Sequence, residues 1–189
     1  MPRPPILPPI DLAEAWNSGR TWIDWLSIAE SEENAEKMRV ASTVSTVPPQ
    51  TRGFLGALPR PVHVLAFAED WCGDVQRYVP VLERLAAHAP MLRVRYVTRE
   101  DQPEIFKRYL TNGGEAVPKF VFLNEEFVEC GNWGPMPWSL RLLIARGKAA
   151  GNVSAARRRV GQHADADPDC LEAMRELVEL IDIACTQTV

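Results

Sequence analysis

A chain of 189 residues, 46% hydrophobic and 24% charged, has the make-up of a soluble globular protein and enough material for one domain with a real core. Its formal net charge of −4 speaks against nucleic acid as the main partner, because phosphate binding needs a concentrated positive surface. No apolar run is long enough to cross a bilayer, which speaks against a membrane partner as well.

In chain order the sequence divides into three sections without an internal repeat. Residues 1–60 form a helical N-terminal extension. The proline-rich start, "MPRPPILPPI", lacks the charged-then-apolar layout of an export signal. "TWIDWLSIA" places Trp22, Trp25, Leu26 and Ala29 on one helical face, and "SEENAEKMRVAS" continues as a helix capped by Ser31. "VPPQTRGFLGALPRP", punctuated by Pro and Gly, is expected to be a linker.

Residues 61–138 change character. "VHVLAFA" has the β-branched, apolar make-up of a buried strand. From Cys72 to about Ala87 the pattern turns helical, with Val75, Val79, Leu82, Leu85 and Ala86 on one face and Pro80 inside, where it removes a backbone bond. "LRVRYVT" is a second strand. "DQPEIFKRYL" is a short helix with Asp101 and Glu104 as a capping pair and Gly113-Gly114 as its stop. "KFVFL" and "FVECGNW" are strands joined by a tight "NEE" turn in an antiparallel hairpin.

Residues 139–189 return to helix as a C-terminal extension. In "DPDCLEAMRELVELIDIAC", Leu171, Met174, Val178, Ile181 and Cys185 fall on one stripe, with Asp167 as cap and Pro168 suited to the first turn. The stripe is expected to dock on the rest of the domain, with a homodimer contact as the alternative; the oligomeric state stays open. None of the four cysteines, Cys72, Cys130, Cys170 and Cys185, is spaced as a metal knuckle or a redox pair. The thiols are therefore read as reduced, the location as cytoplasmic, and no metal or cofactor is expected.

The middle section thus runs strand, helix, strand, helix, strand, strand, helix. It carries Trp71-Cys72-Gly73 at a strand-to-helix turn, Pro80 within the helix, and Val117-Pro118 just before a strand. Together these resemble the thioredoxin fold from about Pro61 to Gly134. "FAEDWCGD", "YLTNGG", "VPKFVFL" and "WGP" resemble more specifically a bacterial branch of thioredoxin-like proteins with an EDWCGD motif, in which the second cysteine is commonly missing. The resemblance implies an α/β thioredoxin-like fold: a central mixed sheet of about four strands, flanked by helices, with the N- and C-terminal helices as additions.

The same resemblance assigns the site. Cys72 is the expected nucleophile, at a helix N-terminus where free N–H groups and the helix dipole favour a thiolate. Glu69, Asp70 and Asp74 oppose that charge, and the nearest cation in sequence is Arg77. Val75 stands where a resolving cysteine would be, and Ala66 where the parent family usually carries a buried Asp. Both departures argue against ordinary dithiol cycling. Gly73 and Asp74 complete the turn. Pro118 corresponds to the family's cis-proline, which would bring the backbone of Val117 beside Cys72. Trp71 and Trp133 are expected to flank the site as an apolar docking surface. Cys130 is the best internal candidate for a substitute resolving thiol. The "ARRRV" run at 156–160 is expected to be a solvated helix face.

Two functions follow. One is a single-cysteine thiol oxidoreductase acting on a protein or low-molecular-weight thiol or disulfide. The other is a catalytically inactive binding module using the groove beside Pro118. A third reading, an iron–sulfur carrier like the monothiol glutaredoxins, is disfavoured because no lysine precedes Cys72 between Ala66 and Trp71.

Overall fold

Val62–Phe67 is buried at every position, and that continuous apolar run makes it the middle of a sheet rather than an edge (β1). A computed structural model describes residues 10–44 and 47–186. The proline-rich start at residues 1–9, which lacks the layout of an export signal, lies outside them. Among the described residues, four helices precede β1: α1 (Leu12–Ser18), α2 (Trp22–Ser27), α3 (Glu32–Thr43) and α4 (Pro49–Gly56). After it come α5 (Gly73–Ala86), β2 (Leu92–Val97), α6 (Pro103–Phe106) with a following 3-10 turn, β3 (Lys119–Leu123) and β4 (Glu129–Trp133). Three helices close the described chain: α7 (Trp138–Ala149), α8 (Val153–Ala166) and α9 (Leu171–Thr186).

The sheet order is β2-β1-β3-β4. β1 pairs parallel with β2, in register Val62 with Leu92, and antiparallel with β3, Phe67 opposite Lys119. β3 and β4 form the hairpin, with Phe120 opposite Trp133. This is the mixed α/β thioredoxin-like architecture that the resemblance implies.

Alternation along the strands sorts the helices onto two faces. On one, the Tyr96 hydroxyl donates to Glu83 of α5 at 2.5 Å, and Trp133 meets Tyr78 of α5 edge-on. The Trp133 indole also donates to Glu176 of α9 at 2.6 Å, so α5 and α9 cover the same side. On the other, Trp16 of α1 packs against His63 and Phe106 of α6 against Phe67.

Several local expectations need correction. The 47–61 stretch is not a bare linker. Pro48 and Pro49 sit at the entry of α4, where a missing N–H breaks no helical bond, and Leu55 is buried. Asp101 does not cap α6. Its carboxylate accepts from Thr98 N at 2.9 Å and pairs with Arg20 at 2.8 Å, a tertiary partner that outcompetes the local one. The hairpin turn is longer than "NEE": Asn124 Oδ1 accepts from Glu126 N and Val128 N, and Phe127 takes φ 60°. On α9, Met174, Ile181 and Cys185 are buried as expected, but Leu171 is exposed while Leu177 is fully buried. Asp167 does cap the helix, accepting from Leu171 N and Glu172 N. Among the described residues, no helix is long and apolar enough to cross a membrane.

Candidate active site

β1 ends at Phe67, and the chain needs only a short turn to reach α5. In that turn Cys72 N donates to Glu69 O at 3.0 Å, and Gln76 N donates to Cys72 O at 3.0 Å as the helix begins. Cys72 is thus the N-cap residue of α5, in an extended conformation, and Gly73 is the first helical residue. No side-chain cap bond forms there. The Cys72 Sγ–H instead donates to the Val117 carbonyl at 3.4 Å. Val117-Pro118 is cis, and Val117 and Pro118 are buried at the start of β3. The structure therefore brings Cys72, Gly73, Val117 and Pro118 to one place, with Cys72 half-buried.

The three carboxylates of the turn do not act alike. Asp70 is buried and turned away, accepting from Glu30 N at 3.2 Å and Ser31 N at 3.1 Å ahead of α3. Glu69 accepts from the backbone and guanidinium of Arg99, at 3.0 and 3.3 Å. Arg99 also pairs with Glu115 at 3.2 Å and lies 5.6 Å over the ring of Trp71, which is half exposed. Arg99, not Arg77, is the cation of this turn. Arg77 donates to the carbonyls of Ala164 and Asp167, both at 2.7 Å, and ties α5 to the end of α8. Asp74 remains: burial pushes its carboxyl up to about 6, against a smaller opposing pull from Arg77.

A family model described as thioredoxin matches residues 26–150, about two thirds of the chain. The chain belongs to the thioredoxin family. No curated protein matches. Among solved structures, it is similar to a protein of unknown function, PA1234, from Pseudomonas aeruginosa, at 17% identity and TM-score 0.67, covering 90% of this chain and 96% of that one. It is also similar to an HIV epitope-scaffold at 15% identity and TM-score 0.64, with the same coverage. Both likenesses concern the fold.

Measured against a dithiol thioredoxin, the departures are built into the core. Val75 and Ala66, which the resemblance sets at the resolving and acid positions, are fully buried and serve packing. Trp133 does not flank the site as a docking surface. It is 2% exposed, stacked on Phe120 and bonded to Glu176, because β4 turns that face toward α9. Cys130 is no substitute resolving thiol either. It lies beside the far end of β3, roughly 13 Å of strand from the end that holds Pro118. Its Sγ–H donates to Val128 O, and burial pushes its thiol up. None of the four cysteines is disulfide-bonded. Among the described residues, no group of three or more His, Cys, Asp or Glu is placed to hold a metal.

Sequence reasoning missed three residues that build the site. Arg99 follows β2 in an unremarkable charged stretch. Gly134, at φ +120°, has no room for a side chain: a Cβ there would lie 2.0 Å from the Pro118 carbonyl oxygen. Lys119 is buried, donates to Thr111 Oγ1 and Gly134 O at 2.9 Å each, and is pulled down to about 8 by burial and by Arg141. Its place directly after Pro118 was the only signal for it.

The buried Asp70 gives a test of how the turn is held. Asp70→Ala leaves the N–H groups of Glu30 and Ser31 without their acceptor and is expected to cost about 2 kcal/mol in urea unfolding. An unchanged midpoint would show that the turn does not depend on this anchor.

Proposed function

We propose that the protein is a thiol–disulfide oxidoreductase of a single-cysteine branch of the family, with Cys72 as nucleophile. The supporting observation is the pairing of Cys72, at the start of α5, with the Val117 carbonyl at 3.4 Å. Gly73, Asp74 and Val75 begin the helix, where N–H groups lack intrahelical acceptors and favour a negative sulfur nearby. On ionisation Cys72 loses its S–H, and the Val117 carbonyl loses its donor. An N–H of an incoming extended substrate can then take that place, so activation of the thiol and opening of the backbone acceptor occur together.

The Cys72 thiolate attacks one sulfur of a disulfide R–S–S–R. A new S–S bond forms, giving the mixed disulfide Cys72–S–S–R, the S–S bond of R–S–S–R breaks, and the leaving thiolate R–S⁻ takes a proton from solvent. A second, external thiol then attacks the adduct, forms a new disulfide with R–S, and releases Cys72. Val75 cannot perform that second attack, so the resolving thiol comes from outside the motif. Trp71, half exposed beside Cys72, offers the substrate an apolar surface held in place by Arg99.

Two assays test this. With 2-hydroxyethyl disulfide and an excess of a small thiol, wild-type protein is expected to catalyse exchange that Cys72→Ser abolishes. With insulin as substrate, little turnover is expected. Robust insulin reduction lost in Cys72→Ser would show that a second protein thiol resolves the adduct, contrary to this mechanism.

A further inference from the structure

Beside the Cys72–Val117 contact opens a pocket of about 380 Å³, within the size range of small-molecule sites. Its lining includes Asp74, two residues after Cys72, and Ala116, one residue before Val117. From the other side it is closed by α7 and α8, which supply Arg141, Lys148 and Arg157. Arg141, Ile144 and Lys148 recur at i, i+3 and i+7, so they share one face of α7. Gly147 lets α8 approach closely, since a Cβ there would lie 2.5 Å from the Ala156 Cβ. Arg157, the residue after Ala156, lines the same pocket as Lys148. The basic run of α8 is a solvated face as expected, with Arg157, Arg158 and Arg159 all exposed, and Arg157 also lines the pocket.

These cations have no anion of their own among the described residues. Neither Arg141, Lys148 nor Arg157 forms an ion pair there. The Nε of Arg141 is buried without a hydrogen-bond partner. The buried ammonium of Lys119 lies close enough to feel its repulsion. Leaving a buried guanidinium nitrogen unsatisfied beside a second cation is costly, and a ligand anion relieves both costs. Two carboxylates line the same pocket. Glu115 is paired with Arg99, and Asp74, two residues after Cys72, forms no ion pair with the cations contributed by α7 and α8.

We infer that this pocket binds the carboxylate end of a low-molecular-weight thiol or disulfide while its sulfur reaches Cys72. The inference rests on the proposed exchange chemistry and names the co-substrate class: an anionic, carboxylate-bearing thiol rather than a neutral or cationic one. The bonds made and broken are those of the exchange already given. Ile144 supplies an apolar wall for the ligand's methylene groups, and Arg141, whose buried Nε lacks a partner, an anion contact.

The test is the rate of mixed-disulfide formation at Cys72, followed by intact mass, with three probes: 3,3′-dithiodipropionate, 2-hydroxyethyl disulfide and cystamine. Each rate is divided by that probe's rate with free 2-mercaptoethanol, which removes intrinsic reactivity. Wild type is expected to favour the dicarboxylate over the neutral probe by about tenfold, with cystamine slowest. Arg141→Met is expected to remove most of that ratio. Arg157→Met, at an exposed position that does not threaten the fold, is expected to cut it about threefold. A ratio near one, or a ratio that neither substitution changes, overturns the inference and leaves the exchange reaction standing. Failure of every probe to label Cys72 overturns the exchange reaction, and this inference with it.

Discussion

Gly134→Ala is expected to destabilise the protein by about 3–5 kcal/mol. The new methyl would meet the Pro118 carbonyl oxygen at 2.0 Å and the Pro118 carbonyl carbon at 3.0 Å, and φ +120° suits no L-residue with a side chain. Neither contact can be relieved by a side-chain rotation, since both partners are backbone. The segment that has to move is the one that holds Val117 against Cys72. Loss of stability and exposure of the thiol should therefore appear together. Urea unfolding and the rate of iodoacetamide labelling at Cys72 read the two effects. A Gly134→Ala protein with wild-type stability would mean that the β4 exit does not abut the Pro118 backbone.

The second large effect concerns pH. Glu83 lies under Tyr96, accepting its hydroxyl proton at 2.5 Å, and burial pushes the Glu83 carboxyl up to about 7 from its ordinary 4.5. The folded state therefore holds a proton that the unfolded chain has released between those two values. Stability from this group is highest below about 4.5, declines as pH rises toward 7, and is level above it; the full difference is about 3 kcal/mol. Asp74 adds a decline of the same sign between 3.8 and about 6. Glu83→Gln keeps an acceptor for Tyr96 and removes the ionisation. It is expected to match wild type near pH 4 and to exceed it by up to about 3 kcal/mol at pH 8. An equal difference at both pH values would place the Glu83 carboxyl in solvent, contrary to the packing of α5 on β2.

The four strands, with their parallel pair and hairpin, were legible because each strand carries its own signal; the order that sets β1 against β3 was not. β1 is apolar throughout, and β3 and β4 are short runs separated by a turn. The helix after Cys72 was equally plain from Val75, Val79, Leu82 and Leu85, all fully buried. Less legible were features decided by distant partners. α4 was hidden by its prolines, whose placement at a helix entry inverts their usual meaning. Asp101 was drawn from its cap by Arg20, from the loop before α2. At the site, the residues named by resemblance, Cys72, Val117 and Pro118, do meet. Trp133 and Cys130 do not join them, because strand alternation and register decide which way a side chain points and which end of a sheet it occupies. The charge balance was least legible. Sequence proximity put Arg77 against three carboxylates, whereas the folded chain sends Arg77 to α8, anchors Asp70 on backbone N–H groups, and brings in Arg99.

The most direct measurement of the central claim is the intact mass and peptide map of protein incubated with 2-hydroxyethyl disulfide, then with an external thiol. The expected result is one added half-disulfide, on Cys72, absent from Cys72→Ser and removed by the external thiol with recovery of the free cysteine. Loss of two hydrogens, with Cys72 joined to another cysteine of the chain, would contradict the single-cysteine mechanism. An unmodified Cys72 under every disulfide tried would contradict the enzyme itself and leave a thioredoxin-fold binding module in its place.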